Sequence, residues 1–301
     1  MKFIINPENY AESYLQYLNE CFPNWGNIDN FNWALNREFD GLKPDFFVIQ
    51  SDDNIVLAGS AISYRKLKFP DNNLLEIGIM TGSWTLAASR GLGCFTAAIN
   101  KSCELVAIKN KPFLTAFVTE SNASSRRLIG AGSHLVKTNY IISEHLQLAN
   151  KDRICNVEVL EKSRANIQFL FEKRKALLQN KIHFDYDFAD FEKQVIKRLN
   201  FVFIIKIDNE FAIIEETNSI FQLHFCTNYE LNIITKVITW ANKKSKEIIF
   251  FSTNAKHQFS AENNFKVIDG FFTVLKSEKT STIDWNMDFN DIFVIEFGDK
   301  M

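Results

Sequence analysis

One stretch of the chain decides its fold. Residues 73–132 read NLLEIGIMTGSWTLAASRGLGCFTAAINKSCELVAIKNKPFLTAFVTESNASSRRLIGAG. The first part, 74–86, is an apolar run long enough for a buried strand, with a bend expected at Gly78 or Gly82. A short polar turn, 89–93, then separates this run from the next apolar segment. This order predicts a strand that ends in a tight turn.

The rest of the stretch alternates helix and strand. Apolar residues recur at helical spacing over 94–109, and β-forming residues fill 113–119. Asn122 follows as a good N-cap for a short helix. A strand, a glycine turn, a helix and a strand in this order make a βαβ unit.

The turn between the first strand and the helix is a candidate anion site. A helix N-terminus leaves backbone N–H groups unpaired and carries partial positive charge. Gly91 and Gly93 would let an anion approach this backbone closely, and Arg90 adds a cation. A tight turn without a ligand is the alternative, because the spacing fits neither a Walker A loop nor Gly-x-Gly-x-x-Gly.

Residues 73–132 resemble the core of the GNAT acyltransferase family. The family signature, Gln/Arg-x-x-Gly-x-Gly/Ala, lies between a bent strand and a helix, and residues 90–95 match its first four positions. Asn122 matches the asparagine that opens the next helix of the family. Two positions depart from the pattern: Phe95 replaces a small residue, and Ile129 replaces the tyrosine that acts as general acid in many members.

The resemblance implies an α/β fold of two GNAT-like halves, 1–150 and 151–301, each a mixed, mostly antiparallel sheet flanked by helices. The second half repeats the pattern of strands and helices only weakly, and general similarity between α/β halves is the alternative explanation. We place the boundary in the polar stretch 144–152. The corresponding turn, 226–228, has neither glycine nor arginine, so a coenzyme is expected in the first half only.

The resemblance also implies a reaction, the transfer of an acetyl or other acyl group from acetyl-CoA to an amine, with no metal. The strand end, the turn and the following helix would supply the coenzyme contacts: Trp84, Thr85, Leu86, Arg90, Gly91, Leu92, Gly93, Cys94, Phe95, Asn122 and Ser125. Plain core positions for the strand residues, and a simple N-cap for Asn122, are the alternatives.

Transfer to an amine needs a base that removes a proton from the amine. Glu120 and Glu76 are the nearest carboxylates in sequence, and Tyr140 on the next strand is a substitute acid. Each is otherwise a surface or core residue. Because Phe95 and Ile129 depart from the family pattern, a non-catalytic coenzyme A-binding sensor or assembly protein is the rival function.

The composition of the chain limits which classes of binding partner are expected. The net charge of −2 argues against nucleic acid or an anionic membrane, and disfavours an aminoacyl-tRNA-dependent ligase of related tandem fold. No apolar run reaches the roughly 18 residues needed to span a bilayer. The five cysteines are scattered, which suits reduced thiols in a cytoplasm, and no spacing suits a metal site. We expect a small-molecule or peptide amine as acceptor, and a homodimer is compatible with the sequence.

Overall fold

The secondary structure comes from a computed structural model, which describes residues 1–143, 156–252, 259–260, 265–277 and 293–300. Up to residue 143 the elements are β1 (Lys2–Ile5), α1 (Ala11–Cys21), α2 (Ile28–Leu35), β2 (Asp45–Gln50), β3 (Val56–Lys68), β4 (Leu74–Thr85), α3 (Cys94–Ile108), β5 (Phe113–Thr119), α4 (Ala123–Gly130), β6 (His134–Lys137) and β7 (Asn139–Ser143). From residue 156 they are β8 (Val157–Leu160), α5 (Arg164–Leu178), β9 (His183–Asp185), α6 (Phe188–Phe191), β10 (Phe201–Ile207), β11 (Glu210–Glu216), β12 (Ile220–Cys226), α7 (Leu231–Asn242), β13 (Glu247–Ser252), β14 (Phe265–Ile268) and β15 (Gly270–Lys276).

These strands form two sheets that have the same order. The first runs β1-β2-β3-β4-β5-β15-β6, with β9 added beside β3, and the second runs β8-β10-β11-β12-β13-β7-β14. Neighbouring strands are antiparallel apart from β4–β5 and β12–β13, which are parallel and are joined through α3 and α7. The predicted architecture of two mixed, mostly antiparallel sheets with helices is confirmed.

The two sheets exchange one strand. β15, from the C-terminal part of the chain, lies between β5 and β6 in the first sheet and pairs with both. β7, from the N-terminal part, lies between β13 and β14 in the second sheet and pairs with both. The β pattern of the sequence runs unbroken over 134–143 and over 266–275 and predicts one strand in each segment, which is wrong. Each segment breaks at one residue, Thr138 or Asp269, where the chain passes from one sheet to the other.

The two breaks lie against each other. The backbone N–H of Thr138 donates to the carbonyl oxygen of Gly270 at 2.8 Å. A Cβ atom on Gly270 would lie only 2.7 Å from the carbonyl oxygen of Thr138, so this contact requires glycine. Each sheet therefore contains a strand from the other side of 144–152. The boundary predicted within 144–152 lies outside the described residues and stays a prediction.

Phenylalanine rings join the two sheets. The largest buried cluster takes residues from both parts of the chain, and Phe117 of β5 stacks on Phe251 of β13 with ring centroids 5.9 Å apart. Burial of each fully buried ring of this size contributes about 1.5–3 kcal/mol to the free energy of unfolding.

Within the described segments, no helix has the length and apolar composition to cross a membrane.

The last part of the chain differs from its prediction. The apolar pattern over 292–297 predicts a strand, but Phe293 forms an isolated bridge with Ile182, and Phe297–Asp299 forms a 3₁₀ turn. Phe293 and Phe297 are buried in the core rather than paired in a ladder, which explains why their apolar pattern resembled a strand. The sequence also predicts a helical turn over 260–264, and most of this segment lies outside the described residues.

Candidate functional site

A gap opens in the first sheet between β4 and β5. Their parallel ladder joins Gly78 to Leu114 and Ile79 to Thr115, although both strands continue for several residues beyond these pairs. The strands diverge because β4 stays paired with β3, while β5 stays paired with β15. Their facing edges line a cavity of about 690 Å³.

β4 carries a bulge where it borders this cavity. Gly82 and Ser83 of β4 lie opposite the single residue Ser60 of β3, which bends the strand. Gly82 has a φ of +52°, and a Cβ atom there would lie 2.9 Å from the side chain of Leu35, so the position requires glycine. The bend therefore falls at Gly82, whereas Gly78 lies in the regular ladder.

The predicted anion turn forms another wall of the same cavity. Gly91 and Gly93 have φ values of +89° and +79°, and no described atom lies within 4 Å of a Cβ placed on either, so the space beside the turn is open. α3 begins at Cys94, and Ala97 N–H donates to Gly93 O at 3.0 Å. The N–H groups before Ala97 have no acceptor within the helix. Arg90 lies in the same wall.

Most of the predicted coenzyme contacts lie in the cavity wall. These are Trp84, Thr85, Arg90, Gly91, Gly93, Cys94, Phe95 and Asn122. Leu86, Leu92 and Ser125 are not among the lining residues: Leu92 is exposed to solvent, and Ser125 is buried in α4. Ser124 and Arg127, also from α4, do line the cavity.

Two of these contacts also have structural roles. The ring of Trp84 stacks on Tyr17 at 4.9 Å and meets Tyr14 edge-on at 5.5 Å, so it is buried under α1. This packing leaves the backbone of Trp84 as the part that can meet a ligand. The side chain of Asn122 accepts from Ser124 N–H at 3.1 Å, which is the N-cap role.

The three predicted proton-transfer residues lie outside the described wall of the cavity. Glu76 pairs with Lys111 near the start of β4, and about eight strand residues, roughly 26 Å, separate it from Trp84. Glu120 is exposed just after β5. Tyr140 belongs to β7 in the second sheet, where burial raises the pKa of its hydroxyl to about 12.

Lys300 is a wall residue that the sequence did not indicate. Its side chain is half-buried, and its Nζ atom donates to the hydroxyl of Tyr140 at 3.3 Å. Burial, and then the charge of Arg198, lower the pKa of Lys300 to about 8. No local motif surrounds Lys300, because its place in the cavity depends on the path of the preceding residues through the second half.

The described wall of the cavity is cationic. Its ionisable side chains are Cys21, Arg90, Cys94, Arg127 and Lys300, and it contains no carboxylate. Burial raises the pKa of both thiols, which keeps them neutral at pH 7. The charged side chains of the described wall that an anionic ligand would meet are therefore all positive. No group of His, Cys, Asp or Glu within the described ranges is arranged to hold a metal ion.

The second sheet has a matching gap, and the chain itself fills it. β12 and β13 pair at their first residues and then diverge. The ring of Phe297 lies 4.7 Å from that of Phe251 on β13 and 5.9 Å from that of His224 on β12. A Cβ atom on Gly298 would lie 3.0 Å from His224 O, so the segment packs closely on β12. This gap is therefore occupied where the first one is open.

Comparisons with known proteins identify the fold. No family model and no curated protein matches the sequence. A tandem GNAT protein from the clavulanic acid biosynthesis pathway is 11% identical, with a TM-score of 0.63 over 93% of this chain and 99% of that one. A probable N-acyltransferase from Enterococcus faecalis is 9% identical, with a TM-score of 0.64 over 92% of this chain and 72% of that one. A GCN5-related N-acetyltransferase from Anabaena variabilis is 14% identical, with a TM-score of 0.61 over 91% of this chain and 72% of that one.

At identities of 9%, 14% and 11%, these comparisons show a similar fold and nothing more. The match to a tandem protein over nearly the whole of both chains agrees with two sheets of one strand order, each with a diverging parallel pair. The glycine turn and the open gap occur in the first half, whereas the second half lacks the turn and has its gap filled. The chain thus has the GNAT fold, in tandem form, with a degenerate C-terminal half.

Proposed function

We propose that the first half binds acetyl-CoA and transfers its acetyl group to an amine. The observation that supports this proposal is the opening of the β4–β5 gap into the same cavity as the glycine turn of α3. One elongated ligand can then place an anionic group at the helix N-terminus and a reactive group between the diverging strands. An acyl-CoA has this distribution of groups.

The residues of the cavity suit that ligand. The N–H groups at the start of α3 can donate to a pyrophosphate, and Arg90 and Arg127 supply charge-assisted bonds. The edge of β4 that faces the gap can pair with the amides of the pantetheine arm, as an added strand would. Acetyl-CoA contributes the activated thioester, and the protein contributes binding and orientation.

Positioning would account for most of the rate. The gap can hold the amine beside the thioester, and backbone N–H groups near the bulge at Gly82 can polarise the carbonyl. Because the described wall contains no carboxylate, we assign removal of the amine proton to water in the cavity. The departing thiol has a pKa of roughly 8.5, like that of cysteine, so it needs little help from an acid.

A non-catalytic, coenzyme-binding sensor is the second candidate. Two observations favour it: no described wall residue is a carboxylate, and Ile129 occupies an exposed position on α4. In this case the cavity would bind acetyl-CoA, and no acceptor amine would react.

Calorimetry followed by a thiol-release assay tests the proposal. We expect acetyl-CoA to bind at one site per chain, because only the first half combines the turn with an open gap. Two equivalent sites would contradict the asymmetry, and the absence of binding would overturn the proposed function. Release of free coenzyme A in the presence of a panel of amines supports the enzyme, whereas binding without turnover on any amine supports the sensor.

A further inference from the structure

We infer that the C-terminal half supplies the acceptor-binding group of the first half's cavity: Lys300 binds an acidic group on the acceptor. The acceptor class would then be amines that also carry a carboxylate or a phosphate. This inference rests on the proposed acyl transfer, and it gives the degenerate half a direct part in substrate selection.

The backbone that carries Lys300 is held firmly by the second half. Gln194 Nε2 donates to Gly298 O at 2.7 Å, and the carbonyl oxygen of Lys300 accepts from Arg198 at 3.4 Å. Phe297 fills the gap between β12 and β13. The segment that closes the second gap therefore brings Lys300, three residues after Phe297, to the first cavity.

Lys300 has donors that no described group uses. An ammonium group has three N–H donors, and the described hydrogen bond of this one goes to the hydroxyl of Tyr140. Its Nζ atom also lies 4.9 Å from the ring centroid of Tyr140 and 5.8 Å from that of Phe297, contacts that leave two N–H donors without a described acceptor. Within the described residues, no carboxylate lies within 4.0 Å of its Nζ atom. With a pKa of about 8, Lys300 is mainly charged at pH 7. A partly buried cation without a counter-ion is well suited to an anionic ligand.

Lys300 reaches the cavity from a different part of the fold than the two arginines do. It lies beside Tyr140, whose ring centroid is 4.6 Å from that of Phe251, and Phe251 in turn stacks on Phe117 of β5. Arg90 and Arg127 instead belong to the turn and to α4. Lys300 thus joins the cavity through contacts with the second sheet, and we place the acidic group of the acceptor beside it.

A general base is the competing role for Lys300, and pH separates the two. A base acts when it is deprotonated, so rates with every amine would rise as the pH passes 8. An anion-binding lysine acts when it is protonated, so the preference for acidic acceptors would fall above pH 8. The ratio of rates for acidic and neutral acceptors should therefore stay constant with pH if Lys300 is a base, and should fall above pH 8 if Lys300 binds the acidic group.

Matched pairs of acceptors test the inference with acetyl-CoA in the thiol-release assay. The pairs are β-alanine with β-alaninamide, and phosphoethanolamine with ethanolamine. In at least one pair, we expect the wild-type protein to have a higher kcat/KM for the acidic amine than for its neutral partner. Lys300→Met should reduce this ratio by about tenfold or more, because kcat/KM falls for the acidic amine and stays the same for the neutral one. Lys300→Arg should keep the preference and remove its loss above pH 8. Lys266→Met, an exposed lysine on β14, is the control.

Binding provides a readout that does not depend on turnover. In protein with ¹³C-methylated lysines, the Lys300 signal, assigned by its absence in Lys300→Met, should shift with the preferred acidic amine and not with its neutral partner. The pair that shows the shift identifies carboxylate or phosphate. The absence of a shift with both acids, or equal loss of rate for acidic and neutral amines in Lys300→Met, overturns the inference. Failure of acetyl-CoA to bind in calorimetry would instead reject the proposed function.

Discussion

The Nε atom of Arg174 on α5 donates to Oε2 of Glu296 at 2.6 Å, and both side chains are buried. Asp299 lies 3.4 Å from the same guanidinium group and accepts from the hydroxyl of Tyr186 at 3.0 Å. Burial raises the pKa of Glu296 to about 7, and the charge of Arg174 opposes this rise. The ion pair between Arg174 and Glu296 therefore links α5 to the segment that carries Lys300.

Arg174→Met should destabilise the protein by about 3–5 kcal/mol, because two buried acids would lose their cation. Denaturant unfolding at pH 7 measures this change. Lys173→Met, at the exposed neighbouring position, should change stability by less than about 0.5 kcal/mol. Combining Arg174→Met with Glu296→Gln and Asp299→Asn should recover part of the loss. If Arg174→Met is as stable as the wild type, this ion pair does not anchor the segment.

Gly93→Asp should abolish acetyl-CoA binding, because the new carboxylate would enter the open space at the start of α3 and repel the phosphates. Gly93→Asn tests the steric part, since asparagine tolerates a positive φ and has no charge. Gly130→Asp places the same charge at an exposed position outside the cavity wall and should bind normally. Unchanged affinity in Gly93→Asp, measured by calorimetry, would show that the phosphates bind elsewhere.

Tyr140→Phe should lower kcat by up to about 10²-fold, the low end of general acid catalysis, if its hydroxyl supplies the proton to the departing thiolate through water in the cavity. The KM for acetyl-CoA should not change, because Tyr140 does not line the cavity. Thermal unfolding of the variant checks that its stability is retained. A kcat that is unchanged at every pH, with product release shown not to limit the rate, would identify solvent as the proton donor.

The two buried histidines His183 and His224 should lower the stability as the pH drops from 6.5 to 4, whereas Glu296, with its pKa raised to about 7, acts in the opposite direction. Burial, followed by the charge of a nearby arginine, lowers the pKa of His183 and of His224 from 6.5 to about 4. At these histidines the unfolded chain therefore binds more protons in this range, so their contribution to stability is complete above pH 6.5 and decreases towards pH 4. The slope is at most about 1.4 kcal/mol per pH unit for each histidine.

Denaturant unfolding between pH 4 and pH 8 measures this slope. A variant with both His183→Gln and His224→Gln should show a shallower profile, although it loses the contact of 2.8 Å between His224 and Glu215. If the difference in stability between the wild type and the double variant does not change with pH across this range, these histidines titrate alike in the folded and unfolded states.

The first-half βαβ unit could be predicted because its signals are local. β4, α3 and β5 lie within a residue or so of the predicted bounds, since an apolar run, a glycine turn and a helical period are each complete within a few residues. The turn at Gly91 and Gly93 was predicted for the same reason, because a positive φ favours glycine directly.

The exchange of strands could not be predicted in this way. β6 and β7 form one continuous β pattern in sequence, and so do β14 and β15. Which sheet receives each strand depends on partners more than a hundred residues away, as in the pairing of β5 with β15. A period of two specifies a strand and its faces, but it does not specify the neighbouring strand.

By itself, the sequence determined the βαβ unit of the first half, the glycine turn and its asymmetry between the halves, because backbone preference and apolar period act over a few neighbours. Tertiary structure alone decided that the second gap is filled by Phe297 and that Lys300 lies in the first cavity. These positions arise from contacts between segments far apart in the chain, such as Arg174 with Glu296. No local pattern encodes them, since burial and charge pairing are settled only when the two sheets pack together.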